Sequence, residues 1–243
     1  MGKFLLSLLS FILLSFSPSE PLRLLSYNIR NAKGMDNVTD YTRIAGIITQ
    51  SKASIIALQE LDSVTQRSKG VDVLKELSEA TGMYASYGAA IAFQGGKYGV
   101  GILSKEKPLA QKTVPLPGAE EARVLLMVEF KEYVVFCTHF SLTEKDRVSS
   151  VKIIEAALQA YTKPVFLAGD LNDTPGSTTM QILQQKFQLL SSSGFSFPSD
   201  NPDRCIDYIL AYSKTRIYVL ESAVLQEPIA SDHRPVLVAL NLQ

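Results

Sequence analysis

Residues 165–173 read Val165-Phe166-Leu167-Ala168-Gly169-Asp170-Leu171-Asn172-Asp173, an apolar run that ends in an acid, an amide and a second acid. A short apolar run of this kind predicts a buried β-strand. Because side chains alternate along a strand, we expect Asp170 and Asn172 to share one face, and we expect Gly169 to leave room for a ligand at the backbone. A polar tip of this composition suits a strand-to-helix turn equally well, so this stretch alone leaves turn and functional site open.

The same pattern, an apolar run beside polar residues, recurs along the chain. Residues 22–29 carry Asn28 near their end, and residues 53–58 are followed by Glu60. Each run predicts a further buried strand with a polar tip. Four more polar residues lie at the ends or beginnings of predicted strands, namely His139, Asp207, Asp232 and His233.

Helical patterns separate several of these strands. The apolar residues between 73 and 77 predict a helix that ends at Gly82 in a left-handed cap, and Ser141-Leu142-Thr143-Glu144 matches a capping box that opens another helix. Lys131-Glu132 lies between two strand patterns and predicts a tight hairpin. Because helical crossovers and hairpins alternate, we predict mixed sheets covered by helices, a layered α/β sandwich.

Length and charge limit the classes of function. A chain of 243 residues, 46% of them hydrophobic, is long enough for one large domain with a substantial core. Lys plus Arg and Asp plus Glu number 24 each, so no broad basic field is present to hold a polyanion. This balance weighs against a non-specific nuclease.

The first 19 residues differ in composition from the rest. Met1-Gly2-Lys3 supplies a positive charge, residues 4–16 are apolar apart from serines, and small residues follow. This order predicts a secretory signal peptide at residues 1–19, cleaved near Ser17 or Ser19, ahead of one catalytic domain at residues 20–243. We therefore expect a secreted or periplasmic protein, with an uncleaved membrane anchor as the alternative.

The two cysteines, Cys137 and Cys205, do not form a disulfide framework. Both are expected to lie in strands. Buried free thiols are expected, and a single bridge between them is the alternative.

The carboxylates of the polar tips suggest a cation. If several of them gather at one rim, each unpaired ion costs several kcal/mol of desolvation unless a cation offsets the charge. Carboxylates with an amide are hard oxygen ligands that favour Mg²⁺ or Mn²⁺, and no Cys/His cluster has zinc spacing. Such an ion polarises phosphoryl oxygens, while a carboxylate activates water and an imidazole stabilises the transition state.

Six fragments, taken in order, resemble the motifs of the endonuclease/exonuclease/phosphatase superfamily, over a span from about residue 22 to the C-terminus. The resemblance implies a deoxyribonuclease-I-like fold, a four-layer α/β sandwich in which two mixed β-sheets pack face to face and are flanked by helices. It also implies metal-dependent hydrolysis of phosphoesters. The fragments are Leu25-Ser26-Tyr27-Asn28, Leu58-Gln59-Glu60, Thr138-His139, Gly169-Asp170-Leu171-Asn172, Ile206-Asp207-Tyr208 and Ser231-Asp232-His233-Arg234-Pro235.

The resemblance also implies a metal site. Glu60 corresponds to the principal metal ligand, and Asn28 beside it would hold metal or phosphate. Asp232 would assist in binding the metal.

The catalytic roles follow in the same way from the matched motifs. Asp170 would position or activate the attacking water, and Asn172 would orient the phosphate. His233 would contact the scissile phosphate, oriented by Asp207. His139 would be a second imidazole facing the phosphate.

Two arginines and one departure from the family pattern bear on substrate contacts. Arg67 and Arg123 are weaker candidates for phosphate contact, and exposed surface charge is the alternative for each. Many relatives carry an Asn-Ala pair after Tyr-Gly, where this chain reads Tyr98-Gly99-Val100-Gly101. The missing amide removes a substrate contact on that strand.

Taken together, these features predict a secreted, monomeric phosphoesterase that depends on Mg²⁺ or Mn²⁺. Its substrate could be a nucleic acid, a phosphoinositide-like headgroup or a membrane lipid such as sphingomyelin, and the neutral charge balance favours a small or lipid-derived phosphoester over duplex DNA. The alternatives are a secreted endonuclease or exonuclease, and a non-catalytic binding module on the same fold.

Overall fold

The computed structural model describes residues 20–214 and 216–242. The predicted signal peptide at residues 1–19 lies outside these described residues. The described part of the chain forms twelve strands, β1 (Leu22–Asn28), β2 (Ile55–Ser63), β3 (Tyr84–Phe93), β4 (Gly96–Ser104), β5 (Ala110–Leu116), β6 (Arg123–Glu129), β7 (Val134–His139), β8 (Val165–Asp170), β9 (Gln188–Leu189), β10 (Asp207–Tyr212), β11 (Val219–Val224) and β12 (Val236–Leu240). Its helices are α1 (Tyr41–Ser51), α2 (Val73–Thr81), α3 (Glu144–Leu158) and α4 (Thr178–Leu183), with a single 3-10 turn at Arg30–Ala32. None of these helices is both long and apolar enough to cross a bilayer.

The strands form two six-stranded mixed sheets. The first has the order β11-β12-β1-β2-β4-β3, and the second has the order β5-β6-β7-β8-β10-β9. The β1–β2 and β7–β8 pairs are parallel because α1 and α3 carry the chain back between them, whereas the other pairs are antiparallel. The predicted mixture of crossovers and hairpins is confirmed.

The two sheets pack face to face over one apolar core. Ile102 of the first sheet and Val135 and Ile209 of the second are fully buried in it. On the outside, α1 and α2 cover the first sheet and α3 and α4 cover the second, in two further apolar clusters. The result is the predicted four-layer α/β sandwich.

Several local predictions were wrong for identifiable reasons. The capping box fails because α3 begins at Glu144 after Thr143, whose side chain makes no cap hydrogen bond. Ser141 instead donates to Glu120 Oε2 over 2.8 Å. The sequence did not predict β5, because β5 is a largely exposed edge strand without apolar alternation.

The predicted helix end at Gly82 is confirmed, with a left-handed φ of 69°.

Both cysteines are free and buried, as expected, and no bridge joins them. Cys137 lies in β7, and Cys205 lies two residues before β10. Burial raises the pKa of the Cys137 thiol to about 12, so it is an inert part of the core.

Gly169 is needed for the contact between β7 and β8. A Cβ atom at this position would lie 2.0 Å from the carbonyl oxygen of Thr138. The expectation that a ligand approaches this backbone was therefore wrong, because the neighbouring strand fills the space.

Replacing Gly169 by Ala should lower the free energy of unfolding by about 3 kcal/mol, because backbone and not a flexible side chain must move. The matched control is Gly46→Ala in α1, where an added Cβ meets nothing within 4 Å. This control should raise the free energy of unfolding by about 0.5–1 kcal/mol. Urea denaturation measures both changes, and equal effects in the two variants would contradict this account.

Candidate active site

Strand ends from both sheets meet at one rim of the sandwich. In the second sheet, His139 pairs with Asp170, and Asp170 pairs with Asp207, so the three side chains lie on neighbouring strands. In the first sheet, Asn28 is the last residue of β1 and pairs with Gln59 of β2. Parallel strands end at the same edge of a sheet, and β10 runs in the opposite direction to β8. The carboxyl ends of β7 and β8 and the amino end of β10 therefore lie together at this rim.

A β-bulge in β2 places Glu60. Leu58 pairs with Gly101 and Leu61 pairs with Gly99, so Gln59 and Glu60 together lie opposite a single residue. Glu60 has a φ of 61°, a left-handed value that is uncommon for a residue with a side chain. The bulge lets Gln59 turn into the core, while Glu60 stays half-buried at the rim.

Asn28 joins two carboxylates that belong to different sheets. Its Nδ2 donates to Glu60 Oε1 over 3.0 Å and to Asp170 Oδ2 over 3.1 Å. Its Oδ1 accepts a hydrogen bond from the backbone N–H of Arg30 over 3.1 Å. In this arrangement Asn28 is a buried donor that holds the two acids together.

His233 is oriented by Asp207. Its Nδ1 lies 2.9 Å from Asp207 Oδ2, and Ser196 Oγ donates to the same oxygen over 2.6 Å. Burial disfavours the charge on His233, but Asp207 and Asp170 outweigh it and raise its pKa to about 10. The acids therefore favour the protonated form of His233, whose Nε2 lies 3.6 Å from Asp170 Oδ2.

The pKa of His139 shifts in the opposite direction. Its Nε2 lies 3.4 Å from Asp170 Oδ2, and its Nδ1 lies 3.5 Å from Arg123 Nη1. Burial, reinforced by Arg123 and only partly opposed by Asp170, lowers the pKa of His139 to about 4. Burial also raises the pKa of Asp170, against the charge of His233.

Asn172 supports Asp170 through the backbone. β8 ends at Asp170, and Asn172 follows in a left-handed conformation with a φ of 49°. Its N–H donates to Asp170 Oδ1 over 2.9 Å, and its side-chain amide donates to the carbonyl of Phe140. The expectation that strand alternation puts Asp170 and Asn172 on one face was therefore wrong, and a turn connects them.

Asp232 lies at the edge of this group. Its Oδ2 is 3.7 Å from Arg30 Nε, and its Oδ1 accepts a hydrogen bond from Ser231 over 3.3 Å. Within the described residues, none of its hydrogen bonds or ion pairs reaches Glu60 or Asp170.

The two predicted arginines differ in exposure, because Arg67 is exposed and Arg123 is buried. Arg67 binds both oxygens of the buried Asp62, over 2.9 and 2.7 Å, and its guanidinium lies 4.8 Å from the Phe93 ring. Arg123 is only 8% exposed and pairs with Glu121 over 2.8 Å. The alternative of an exposed surface charge is wrong for Arg123.

The residues at the rim fit a hard divalent cation. Glu60 and Asp170 bring two carboxylates to one amide donor, and carboxylate oxygens are the ligands that Mg²⁺ and Mn²⁺ prefer. One ligand atom from each of Asp170, Asp207 and His233 also lies within 4.8 Å of the other two. These three residues therefore form a second, buried group that could hold a cation.

Sequence reasoning missed some supporting residues. Ser196, which holds Asp207, and Phe197, whose ring centroid lies 4.7 Å from that of His233, both come from an irregular stretch rich in Ser and Pro. No periodic pattern marks such residues. Only the Asp207 and His233 motifs on either side could have drawn attention to the segment.

The model of the Endonuclease/Exonuclease/phosphatase family matches residues 25–233. A protein of that family from Beutenbergia cavernae superposes with a TM-score of 0.77 at 22% identity, covering 92% of this chain and 72% of its own. A mannosyl-6-phosphatase from Bacteroides thetaiotaomicron superposes with a TM-score of 0.73 at 19% identity, covering 91% and 100%. The human Nocturnin catalytic domain with bound sulfate gives a TM-score of 0.70 at 15% identity, covering 92% and 95%. No curated protein sequence matches significantly.

Proposed function

Because the chain belongs to the endonuclease/exonuclease/phosphatase family, whose members are hydrolases of phosphoester bonds, we propose that it is a divalent-metal-dependent phosphoesterase acting on a small or lipid-derived phosphoester. The observation that carries the proposal is the convergence of three nitrogen atoms on Asp170 Oδ2. Asn28 Nδ2, His139 Nε2 and His233 Nε2 lie 3.1, 3.4 and 3.6 Å from it. Only the contact of Asn28 is a hydrogen bond, so the two imidazole nitrogens are left to donate to an anionic oxygen of a phosphate at this rim.

The metal would be held by Glu60, with Asn28 and Asp232 beside it. When bound, it would polarise a phosphoryl oxygen and offset developing negative charge. The flanking residues keep this position polar, because the bulge holds Glu60 at the rim while Asn28 fixes its carboxylate.

The remaining residues would orient water and phosphate. Asp170 orients the attacking water and accepts its proton, and the N–H of Asn172 fixes the other oxygen of that carboxylate. His233 donates from Nε2 to the phosphate, held in place by Asp207 and Ser196. His139 supplies a second donor.

Three features support a small or lipid-derived substrate. The equal numbers of acidic and basic residues, 24 each, give no broad field for a polyanion. Arg123 near His139 is already neutralised by Glu120 and Glu121. Two apolar residues, Met35 and Ile229, are 36% and 48% exposed, and Met35 contacts Arg30. They offer apolar surface beside the rim.

The composition of residues 1–19 supports the further proposal that the protein is exported and works outside the cytoplasm. N-terminal sequencing of protein from the periplasm or medium should find a start near residue 18 or 20 after cleavage. An intact Met1 in a membrane fraction would favour the uncleaved anchor instead.

A substrate panel tests the proposed function. Bis-p-nitrophenyl phosphate, mannose 6-phosphate, inositol phosphates, sphingomyelin, RNA and plasmid DNA are assayed with Mg²⁺ or Mn²⁺, and again in EDTA. We expect kcat/KM for at least one small or lipid phosphoester to exceed that for DNA about tenfold or more, and we expect EDTA to abolish turnover until Mg²⁺ is restored.

The other outcomes are distinct. Turnover that persists in EDTA would exclude the metal mechanism. Preferred cleavage of plasmid DNA or RNA would make the protein a nuclease, and no turnover of any substrate would favour the binding module.

A further inference from the structure

Arg123 is buried beside His139 and held by two acids. Its Nη1 lies 2.8 Å from Glu121 Oε1, and its Nη2 lies 3.3 Å from Glu120 Oε1. Glu120 is fixed in turn, because it accepts hydrogen bonds from Ser141 Oγ and from the N–H of Leu142 over 2.8 and 2.7 Å. The guanidinium is therefore held in one place against the segment that follows His139.

Among the described residues, the side-chain hydrogen bonds of Arg123 reach the two acids and His139. Arg123 Nη1 also lies 3.5 Å from His139 Nδ1, and Arg123 Nε is buried without a hydrogen-bond partner among the described residues. A guanidinium can only donate hydrogen bonds. A nitrogen atom that accepts a hydrogen bond from it must therefore present a lone pair.

The other nitrogen of the same ring faces an acceptor. His139 Nε2 lies 3.4 Å from Asp170 Oδ2. A neutral imidazole has one N–H and one lone pair, so the Nε2–H tautomer matches both neighbours. The Nδ1–H tautomer would place two donors against each other at one nitrogen and a lone pair against a carboxylate at the other.

We propose that Arg123 is a positioning residue that fixes His139 as a neutral Nε2–H donor pointing at the Asp170 rim. The two histidines are then oriented by opposite charges, since Asp207 faces Nδ1 of His233 and Arg123 faces Nδ1 of His139. His139 offers the substrate a hydrogen bond and does not accept a proton at Nε2. That last role rests on the proposed function, whereas the tautomer is a property of the chain alone.

The tautomer can be observed directly by NMR. The chain has only two histidines, so ¹⁵N-labelled imidazoles give two ring systems, and a His233→Gln variant assigns them. We expect Nδ1 of His139 to show the shift of an unprotonated acceptor nitrogen and Nε2 that of an N–H. Arg123→Lys keeps a donor and should preserve this pattern, whereas Arg123→Met should move both ring nitrogens toward the average of two tautomers.

Steady-state kinetics provides an independent test of the positioning role of Arg123. On bis-p-nitrophenyl phosphate, Arg123→Met should lower kcat about tenfold with little change in KM, and Arg123→Lys should restore most of it, because a misdirected donor weakens only the transition state. Should Arg123→Met fail to fold, Glu121→Gln loosens the guanidinium without removing it and should broaden or shift the His139 signals.

The proposal is overturned if wild-type His139 carries its proton on Nδ1 or on both nitrogens. It is also overturned if Arg123→Met leaves both ring shifts unchanged. A protein that hydrolyses nothing in the panel but shows the Nε2–H pattern would contradict the proposed function and leave the positioning role of Arg123 standing.

Discussion

Replacing Asp170 by Asn is expected to lower kcat on bis-p-nitrophenyl phosphate by about 10³-fold or more while the fold is retained. The amide has nearly the same shape as the carboxylate but cannot accept a proton from water, and general-base contributions are typically 10²–10⁴-fold. The change also turns an N–H₂ group toward Asn28 or the histidines, whose nitrogen atoms lie 3.1, 3.4 and 3.6 Å from one oxygen of Asp170. Steady-state kinetics gives the loss, and far-UV circular dichroism with thermal melting verifies the fold.

Asp203→Asn is the matched control. Asp203 is exposed and its ion pair is with the adjacent Arg204, so the same chemical change should leave kcat within about twofold. An Asp170→Asn variant that kept more than a tenth of wild-type kcat would rule out the assignment of Asp170 as the base.

The second large effect concerns cation binding. Mg²⁺ at about 100 times its Kd should stabilise the wild-type protein by about 2.7 kcal/mol, and this stabilisation should vanish in Glu60→Gln. Gln keeps an oxygen that accepts from Asn28, so the bulge persists while the anionic ligand is lost. Thermal melting over a series of Mg²⁺ concentrations measures the effect without any substrate.

The control here is Glu76→Gln, an isosteric change at an exposed residue of α2. It should leave the Mg²⁺ response intact. If Glu60→Gln retained the full response, the cation would have to bind elsewhere, and the group formed by Asp170, Asp207 and His233 would be the first place to look.

Much of the architecture could be predicted because local patterns and tertiary packing agree in it. β8 and β12 are apolar runs bounded by polar residues, and the structure buries every residue of both. The convergence at the rim followed from the same pattern, since Asn28, His139 and Asp170 end their strands. Their polar side chains mark the places where the apolar runs stop, which is readable along the chain.

The remaining features depend on contacts between distant residues. The bulge at Glu60 inserts one residue into a strand that otherwise looks regular, so its left-handed backbone and the register shift are visible only once β4 lies beside it. The contact of Arg123 with His139 joins neighbouring strands across a hairpin and is not marked by any periodicity. Turn chemistry after β8 likewise replaced the alternation expected for Asn172.

The hydrogen bonds of Asn28 have a consequence for how the enzyme tolerates change. One acid that it holds is carried by its own sheet, and the other by the opposite sheet, over distances of 3.0 and 3.1 Å. A shift of a few tenths of an ångström in how one sheet packs on the other would therefore change the distance between these two acids. Because protein interiors are close-packed, a change of side-chain volume between the sheets, at Val135 or Ile209 for example, would be transmitted to this rim.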